Sequence, residues 1–282
     1  MIKDVLVHLD GSGDDEIRLQ HAEHIAATSE AHLTGLLTNP LADLTAVMPI
    51  DGGAAAAQIL VDLDNEARRQ GDMVQRRLAE RFSRLSLPNE IRRVDGTPGQ
   101  LANLAASEAR WADLFVMGRP YDASGASKWK GLFDAVLFEG GRGIYLVPPG
   151  HKPADAIRRI LVPWRDTRET ARAVGEATSF IEKATRTVVV LVNPDVGPSG
   201  EKREPGMDVA RHLDRHGTKV EVTMLESEGH PVSQVILDQA RRVSADLIVM
   251  GGYGHSRARE WVLGGATLEM LERSEFPILM AH

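Results

Sequence analysis

The chain repeats itself, and the repeat limits the available folds more than any other feature. Ala112-Asp113-Leu114-Phe115-Val116-Met117-Gly118 returns as Ala245-Asp246-Leu247-Ile248-Val249-Met250-Gly251, 133 residues later. Gly96-Thr97-Pro98 returns as Gly229-His230-Pro231 in the same register. Val5-Leu6-Val7 matches Ile160-Leu161-Val162 at an offset of 155, so the first copy carries 22 extra residues ahead of Gly96. Separate motifs in one register mark a duplicated unit. The stretch Pro148-Pro149-Gly150-His151-Lys152-Pro153 cannot continue a helix or strand and predicts a short stiff linker. The expected domains are therefore residues 1–150 and 151–282. The extra chain is expected within 39–85, where Asp51-Gly52-Gly53 signals a loop and Gln58–Leu85 predicts one long charged helix.

Within a copy, apolar runs alternate with helical patterns. In the second copy Ile160–Pro163, Thr187–Val192, Lys219–Met224, Leu247–Met250 and Pro277–Ala281 read as strands. The runs at 187–192 and 247–250 are nearly all apolar, as expected for strands buried on both faces. Thr167–Lys183, Met207–His216, a segment from Pro231 at N1 to about Val243, and Gly264–Glu272 read as helices, with Thr167 as N-cap. Asn193–Gly206, rich in Gly and Pro, reads as a loop. An order βαβαβαβαβ calls for an α/β fold with a parallel sheet covered by helices on both faces. Ligands of such sheets sit at the carboxyl ends of the strands.

Composition narrows the chemistry. There is no Cys, which removes disulfides, thiolate catalysis and Cys-held metals. The formal charge is −7, so there is no general attraction to nucleic acid or an anionic membrane. No run of about 18 apolar residues predicts a membrane span. Met1-Ile2-Lys3-Asp4-Val5-Leu6-Val7 lacks the apolar core of a signal peptide, so a cytoplasmic protein is expected.

The most chemical segment follows the strand ending at Met250. It runs Gly251-Gly252-Tyr253-Gly254-His255-Ser256-Arg257-Ala258-Arg259-Glu260-Trp261-Val262-Leu263-Gly264-Gly265-Ala266-Thr267. Glycines bring backbone N–H groups close to a ligand. Gly264–Thr267 open a helix whose free N–H groups and dipole attract an anion. Thr267 adds a hydroxyl, and His255 can reach a phosphate or stand as loop surface. The loop is neither a Walker A nor a Gly-x-Gly-x-x-Gly sequence. On spacing alone, phosphate binding and a plain strand-to-helix turn both stay open.

The chain resembles a tandem member of the universal stress protein family. The resemblance rests on Asp10-Gly11-Ser12 after the first strand, Ala245–Gly251, the glycine loop, and the ending Phe276-Pro277-Ile278-Leu279-Met280. It implies two tandem flavodoxin-like (HUP or Rossmann-like) domains, each a five-stranded parallel sheet of order 3-2-1-4-5 with helices on both faces. It also implies a stress-response sensor or regulator that binds ATP or ADP, with Mg²⁺ beside a triphosphate, and at most slow hydrolysis. The halves are expected to pair as an intramolecular pseudo-dimer, with a homodimer as an alternative.

Carried over by position, Gly251, Gly254, Gly264, Gly265, Ala266 and Thr267 would hold phosphates. Met250 and His255 flank them, while Pro163, Trp164, Arg165 and Val192 line the base side. Two departures stand out: Arg165 replaces the acid expected to face adenine, and Gly265 replaces a hydroxyl residue. The first copy keeps Asp10 but has Tyr121, Leu132 and Asp134 where the second has Gly254, Gly265 and Thr267. The first domain is therefore expected to have a degenerate nucleotide loop and the second a working one. Asp10 itself reads either as a ligand residue or as a cap after the first strand. A family member acting without ATP, through protein contacts or another small ligand, is the alternative; an enzyme of the wider HUP class is a third, with no supporting motif.

Other clusters read more simply. His212 and His216 with Asp208, and His21 and His24 with Glu23, read as ordinary helix surface rather than metal sites. Trp111, Trp129 and Trp261 read as core or interface residues. Arg68-Arg69 and Arg76-Arg77, interleaved with acids, read as a solvated helix face.

Overall fold

The computed structural model describes residues 1–41, 53–121, 127–194, 205–252 and 265–282. They form two compact units. The first comprises Met1–Gly118 and Trp129–Arg142; the second comprises Arg119–Lys128 and Gly143–His282.

The first unit holds β1 (Asp4–Leu9), α1 (Asp15–Ser29), β2 (His32–Pro40), α2 (Gly53–Phe82), β3 (Asn89–Gly96), α3 (Pro98–Ala109), β4 (Leu114–Gly118) and α4 (Lys130–Glu139). The four strands pair in the order β3-β2-β1-β4, all parallel. Val5, Leu6, Val7 and Leu9 are buried between their neighbours, as two covered faces require. The helix expected over Gln58–Leu85 spans Gly53–Phe82. It lies in the stretch 39–85 where the extra chain of the first copy is expected.

The second unit holds β5 (Gly143–Val147), β6 (Arg159–Pro163), α5 (Arg168–Glu176), α6 (Thr178–Ile181), β7 (Arg186–Val192), α7 (Met207–Asp214), β8 (Val220–Leu225), α8 (Val232–Val243), β9 (Leu247–Gly251), α9 (Gly265–Arg273) and β10 (Ile278–Ala281). Its parallel strands run β8-β7-β6-β9-β10, which is the order 3-2-1-4-5 counted within the second copy. The fold is thus α/β with a dominantly parallel sheet.

β5 adds to this sheet from the other direction. It pairs antiparallel with β10 through Ile278↔Leu146, Leu279↔Tyr145 and Met280↔Ile144. All five residues of β5 are buried. The compact units therefore do not divide at the Pro-rich linker: the last strand of the first repeat is grouped with the second unit. Burial, together with the nearby Asp246, pushes the Tyr145 phenol far above its ordinary range, so this residue stays neutral in the sheet.

Three local expectations are corrected. The helix expected over Thr167–Lys183 is broken at Ala177, which ends α5 and precedes the four-residue α6. Gly175 weakens the helix there, and Thr178 Oγ1 donates back to the Gly175 carbonyl at 2.8 Å, a local bond that competes with the helix ladder. Pro231 is the N-cap of α8, with φ −56° and ψ 136°, rather than its first helical residue. Trp111, expected in a core or interface, is 82% exposed in the turn after α3, which excludes the core.

Candidate functional site

In the second unit, the carboxyl ends of β7, β6 and β9 lie side by side and bring Val192, Pro163 and Gly251 to one edge of the sheet. Trp164 extends β6 by donating its N–H to the Val190 carbonyl at 2.8 Å. Its side chain and that of Pro163 are half-buried, and Arg165 is exposed. Thr167 caps α5, as the sequence predicts, by accepting from the Thr170 N–H. Met250 is buried and Val192 half-buried.

Gly251 has a packing reason to be glycine. A Cβ there would stand 2.6 Å from the Thr170 nitrogen and 2.7 Å from the Glu169 carbonyl carbon. The first turn of α5 sits directly on the end of β9, and only a residue without a side chain allows it. Gly252 continues the ladder, donating to the Ala281 carbonyl at 2.9 Å.

The first turn of α9 contains Gly265, Ala266 and Thr267. Gly265 is exposed and the other two half-buried. Among the described residues, nothing lies within 4 Å of where a Gly265 Cβ would stand. Gly254, His255 and Gly264, with Trp261, lie outside the described residues. Further along the helix Glu269 accepts a hydrogen bond from Ser233 Oγ at the start of α8, which ties the two helices together. Neither residue was singled out by motif.

The charges at this edge are mixed. Burial favours a raised pKa at Glu169, but hydrogen bonds from Arg168 and Thr167 prevail and hold its carboxyl below the usual range. Arg168 Nε donates to Glu169 at 2.6 Å. The acid is therefore neutralised locally, and its place in the first turn of α5 suits the helix dipole. Arg165 adds an exposed cation.

The corresponding edge of the first unit is built differently. Asp10 follows β1, and its Oδ1 accepts from the Ser12 N–H at 3.2 Å, the Ser12 hydroxyl at 2.6 Å and Arg18 Nη2 at 2.5 Å. The turn-capping role is therefore present. Arg18 also pairs with Asp15, which accepts from the backbone N–H of Asp10 and of Gly11 at 3.0 and 2.9 Å. Burial pushes the Asp15 carboxyl up against the pull of Arg18. The second oxygen of Asp10 accepts from the Trp129 indole N–H at 2.8 Å. The Trp129 ring meets His8 edge-on, with centroids 4.7 Å apart, and His8 Nε2 lies 2.8 Å from the Thr38 hydroxyl.

This cluster, His8, Asp10, Asp15, Arg18, Thr38 and Trp129, was missed as a unit in the sequence. One signal was available: Arg18 stands on the buried face of α1 with Ala22, Ile25 and Ala26, where a cation needs a partner. Asp134, at the place of Thr267, is paired with Lys130. Tyr121 is outside the left-handed region.

The histidine pairs behave as surface and core. The rings of His212 and His216 are 4.9 Å apart and His216 Nδ1 lies 3.3 Å from Glu182. His21 is buried, and Glu23 pairs with Arg81. Among the described residues, no three such side chains form a metal-sized group, and no helix is long and apolar enough to cross a membrane.

Residues 156–282 match the model of the universal stress protein family. A universal stress protein of Synechocystis is 36% identical over 67 residues, which is 24% of this chain and 22% of that relative. The chain thus spans about a fifth of the length of the curated relative it matches. Among solved structures, a universal stress protein from Archaeoglobus fulgidus superposes with a TM-score of 0.69 at 18% identity, covering 99% of this chain and 95% of that one. A protein of unknown function from Pseudomonas aeruginosa PAO1 gives 0.60 at 14% identity, covering 99% and 92%. These two likenesses show the fold over the length of the chain.

Proposed function

The C-terminal part of the chain, residues 156–282, belongs to the universal stress protein family, and from that premise we propose that the protein is a stress-response regulator whose second unit binds an adenine nucleotide. The observation that carries this reading is the contrast between the two strand ends. The first unit fills its own with Trp129 and a buried ion cluster. The second presents a half-buried Trp164, an exposed Arg165 and a helix start at Gly265, where no described residue comes within 4 Å of the place a Cβ would take. The first turn of a nine-residue helix offers N–H groups and a positive dipole end to a phosphate.

Gly265, Ala266 and Thr267, with Gly251, Gly254 and Gly264, would cradle ATP or ADP phosphates; Met250 and His255 would flank them. Pro163, Trp164, Arg165 and Val192 would line the base. Mg²⁺ would accompany a triphosphate. The reading is of a binding protein, with at most slow hydrolysis of ATP. The repeats 1–150 and 151–282 pair with each other in this reading, in a cytoplasmic protein.

Arg165 favours one second reading. Its guanidinium has no acceptor for an adenine amino group, which suits a member that acts through protein contacts without ATP. Anion-exchange chromatography of the supernatant from denatured protein, with titration calorimetry against ATP and ADP with and without Mg²⁺, tests the proposal. Released nucleotide or a saturable heat supports it. No nucleotide, and no heat at millimolar ATP–Mg, overturns it in favour of the second reading.

A further inference from the structure

We propose that Trp129 is an internal ligand: its indole occupies a slot in the first unit that selects a planar heteroaromatic ring by an edge N–H, and that slot takes a free indole-class ring once Trp129 is removed. The recognising group is Asp10. Its Oδ1 is committed to Ser12 and Arg18, and Oδ2 is turned to the ring and accepts the indole N–H at 2.8 Å. Arg18, whose side chain is 5% exposed, fixes the carboxylate in place. His8, fully buried, supports the ring from the side. Trp129 itself is only half-buried and stands at the N-cap of α4 without a side-chain cap bond.

The repeat supplies a second observation. At the positions of Asp10, Asp15, Arg18 and Trp129 the second copy has Arg165, Thr170, Ala173 and Val262. Acceptor, clamp and plug are all replaced together. A tryptophan that merely filled volume would need no carboxylate aimed at its N–H; the four residues form one recognition device.

The test is chemical rescue in the full chain. Trp129→Gly vacates the slot, and Trp129→Ser does so while supplying an oxygen at the N-cap of α4. Thermal unfolding and calorimetry are read with indole and with indene, a ring of the same size without the N–H. Indole is expected to raise the midpoint saturably and to bind roughly tenfold tighter than indene, the size of one hydrogen bond to a charged acceptor. Adding Asp10→Asn should shrink that preference. Equal binding of indole and indene marks an unselective cavity and overturns the proposal; so does no binding of indole to a folded variant. If both variants fail to fold, refolding in millimolar indole restores the fold under the proposal, and failure to do so overturns it.

Discussion

The indole N–H of Trp129 reaches Oδ2 of Asp10 at 2.8 Å across 119 residues of chain. It joins the entry of α4 to the end of β1 within one unit. Trp129→Phe keeps an aromatic ring against His8 and removes only the donor. The carboxylate oxygen then loses a charge-assisted bond, so a stability loss of about 1–3 kcal/mol is expected. Urea denaturation followed by circular dichroism measures it. A loss below about 0.5 kcal/mol would show that the bond adds little beyond packing.

Arg18 sits between two carboxylates, 2.5 Å from Asp10 and in contact with Asp15. Arg18→Met fills similar space with no charge and leaves two acids facing each other. A cost of about 3–5 kcal/mol is expected near neutral pH. The pH dependence has a definite sign. Asp15 is held above its ordinary value by burial, so its contribution is fully present below the unfolded carboxylate range and is lost as pH rises through the folded value. Without Arg18 that upward shift grows. The gap between variant and parent should therefore narrow as the pH is lowered towards 4. A gap that stays constant or widens on acidification contradicts this electrostatic account.

The repeat carried most of the fold. Offsets of 133 and 155 residues put Val5–Val7 and Ile160–Val162 on equivalent strands, and Leu114–Gly118 and Leu247–Gly251 likewise. Alternation of apolar runs with helical patterns then calls for a parallel sheet; the order β8-β7-β6-β9-β10 is the one the family resemblance implied. The second strand edge was legible for the same reason: Pro163, Val192 and Gly251 are strand ends, and strand ends meet. What could not be read were contacts between distant segments with no shared period. Asp10 and Trp129 form such a pair, and so do Ser233 and Glu269. The fate of β5 was hidden too, because Gly143–Val147 is equally apolar whichever partner it takes. Gly251 shows a further limit: its spacing matches a phosphate loop, yet the close approach of α5 alone requires a glycine there.

That double role separates two alanine substitutions. Gly251→Ala would press a methyl against the backbone at Thr170 and Glu169, atoms that move only with the whole of α5. A loss of about 1–3 kcal/mol is expected. Gly265→Ala meets nothing among the described residues and removes a poor helix former, so stability is expected to hold or rise by up to about 1 kcal/mol. Under the proposed function the ranking reverses for binding: Gly265→Val should lose nucleotide affinity while unfolding like the parent. Thermal melts paired with calorimetry separate the effects, and a Gly251→Ala protein as stable as the parent would refute the packing explanation.

At the end of β3, burial tends to raise the Asp95 carboxyl, but Arg93 and Asn39 donate to it and hold it below the usual range. Arg93 Nη2 lies 2.8 Å from Asp95 Oδ1, and Asn39 Nδ2 2.5 Å from the same oxygen. A depressed folded value means stability that is present above the unfolded range near 3.8 and lost as pH falls through the folded value. Arg93→Met should therefore be destabilised at pH 7 and approach the parent in strong acid. Denaturation midpoints measured at several pH values between 2 and 7 report this convergence; parallel curves would assign the Arg93 effect to packing against Gly71 instead.

Arg165 sets the last expectation, which rests on the proposed nucleotide site. It occupies the position after β6 that corresponds to Asp10 after β1, and it is exposed. A guanidinium offers only donors, so it meets the carbonyl edge of guanine better than the amino edge of adenine. Arg165→Asp reverses the polarity: the carboxylate accepts from the adenine amino group and repels the guanine carbonyl. The ratio of ATP to GTP affinity should rise by roughly tenfold, the size of one such bond. Competition calorimetry on parent and variant gives the ratio directly. If the variant loses both nucleotides alike, Arg165 holds phosphate instead, and the base lies elsewhere along the strand edge.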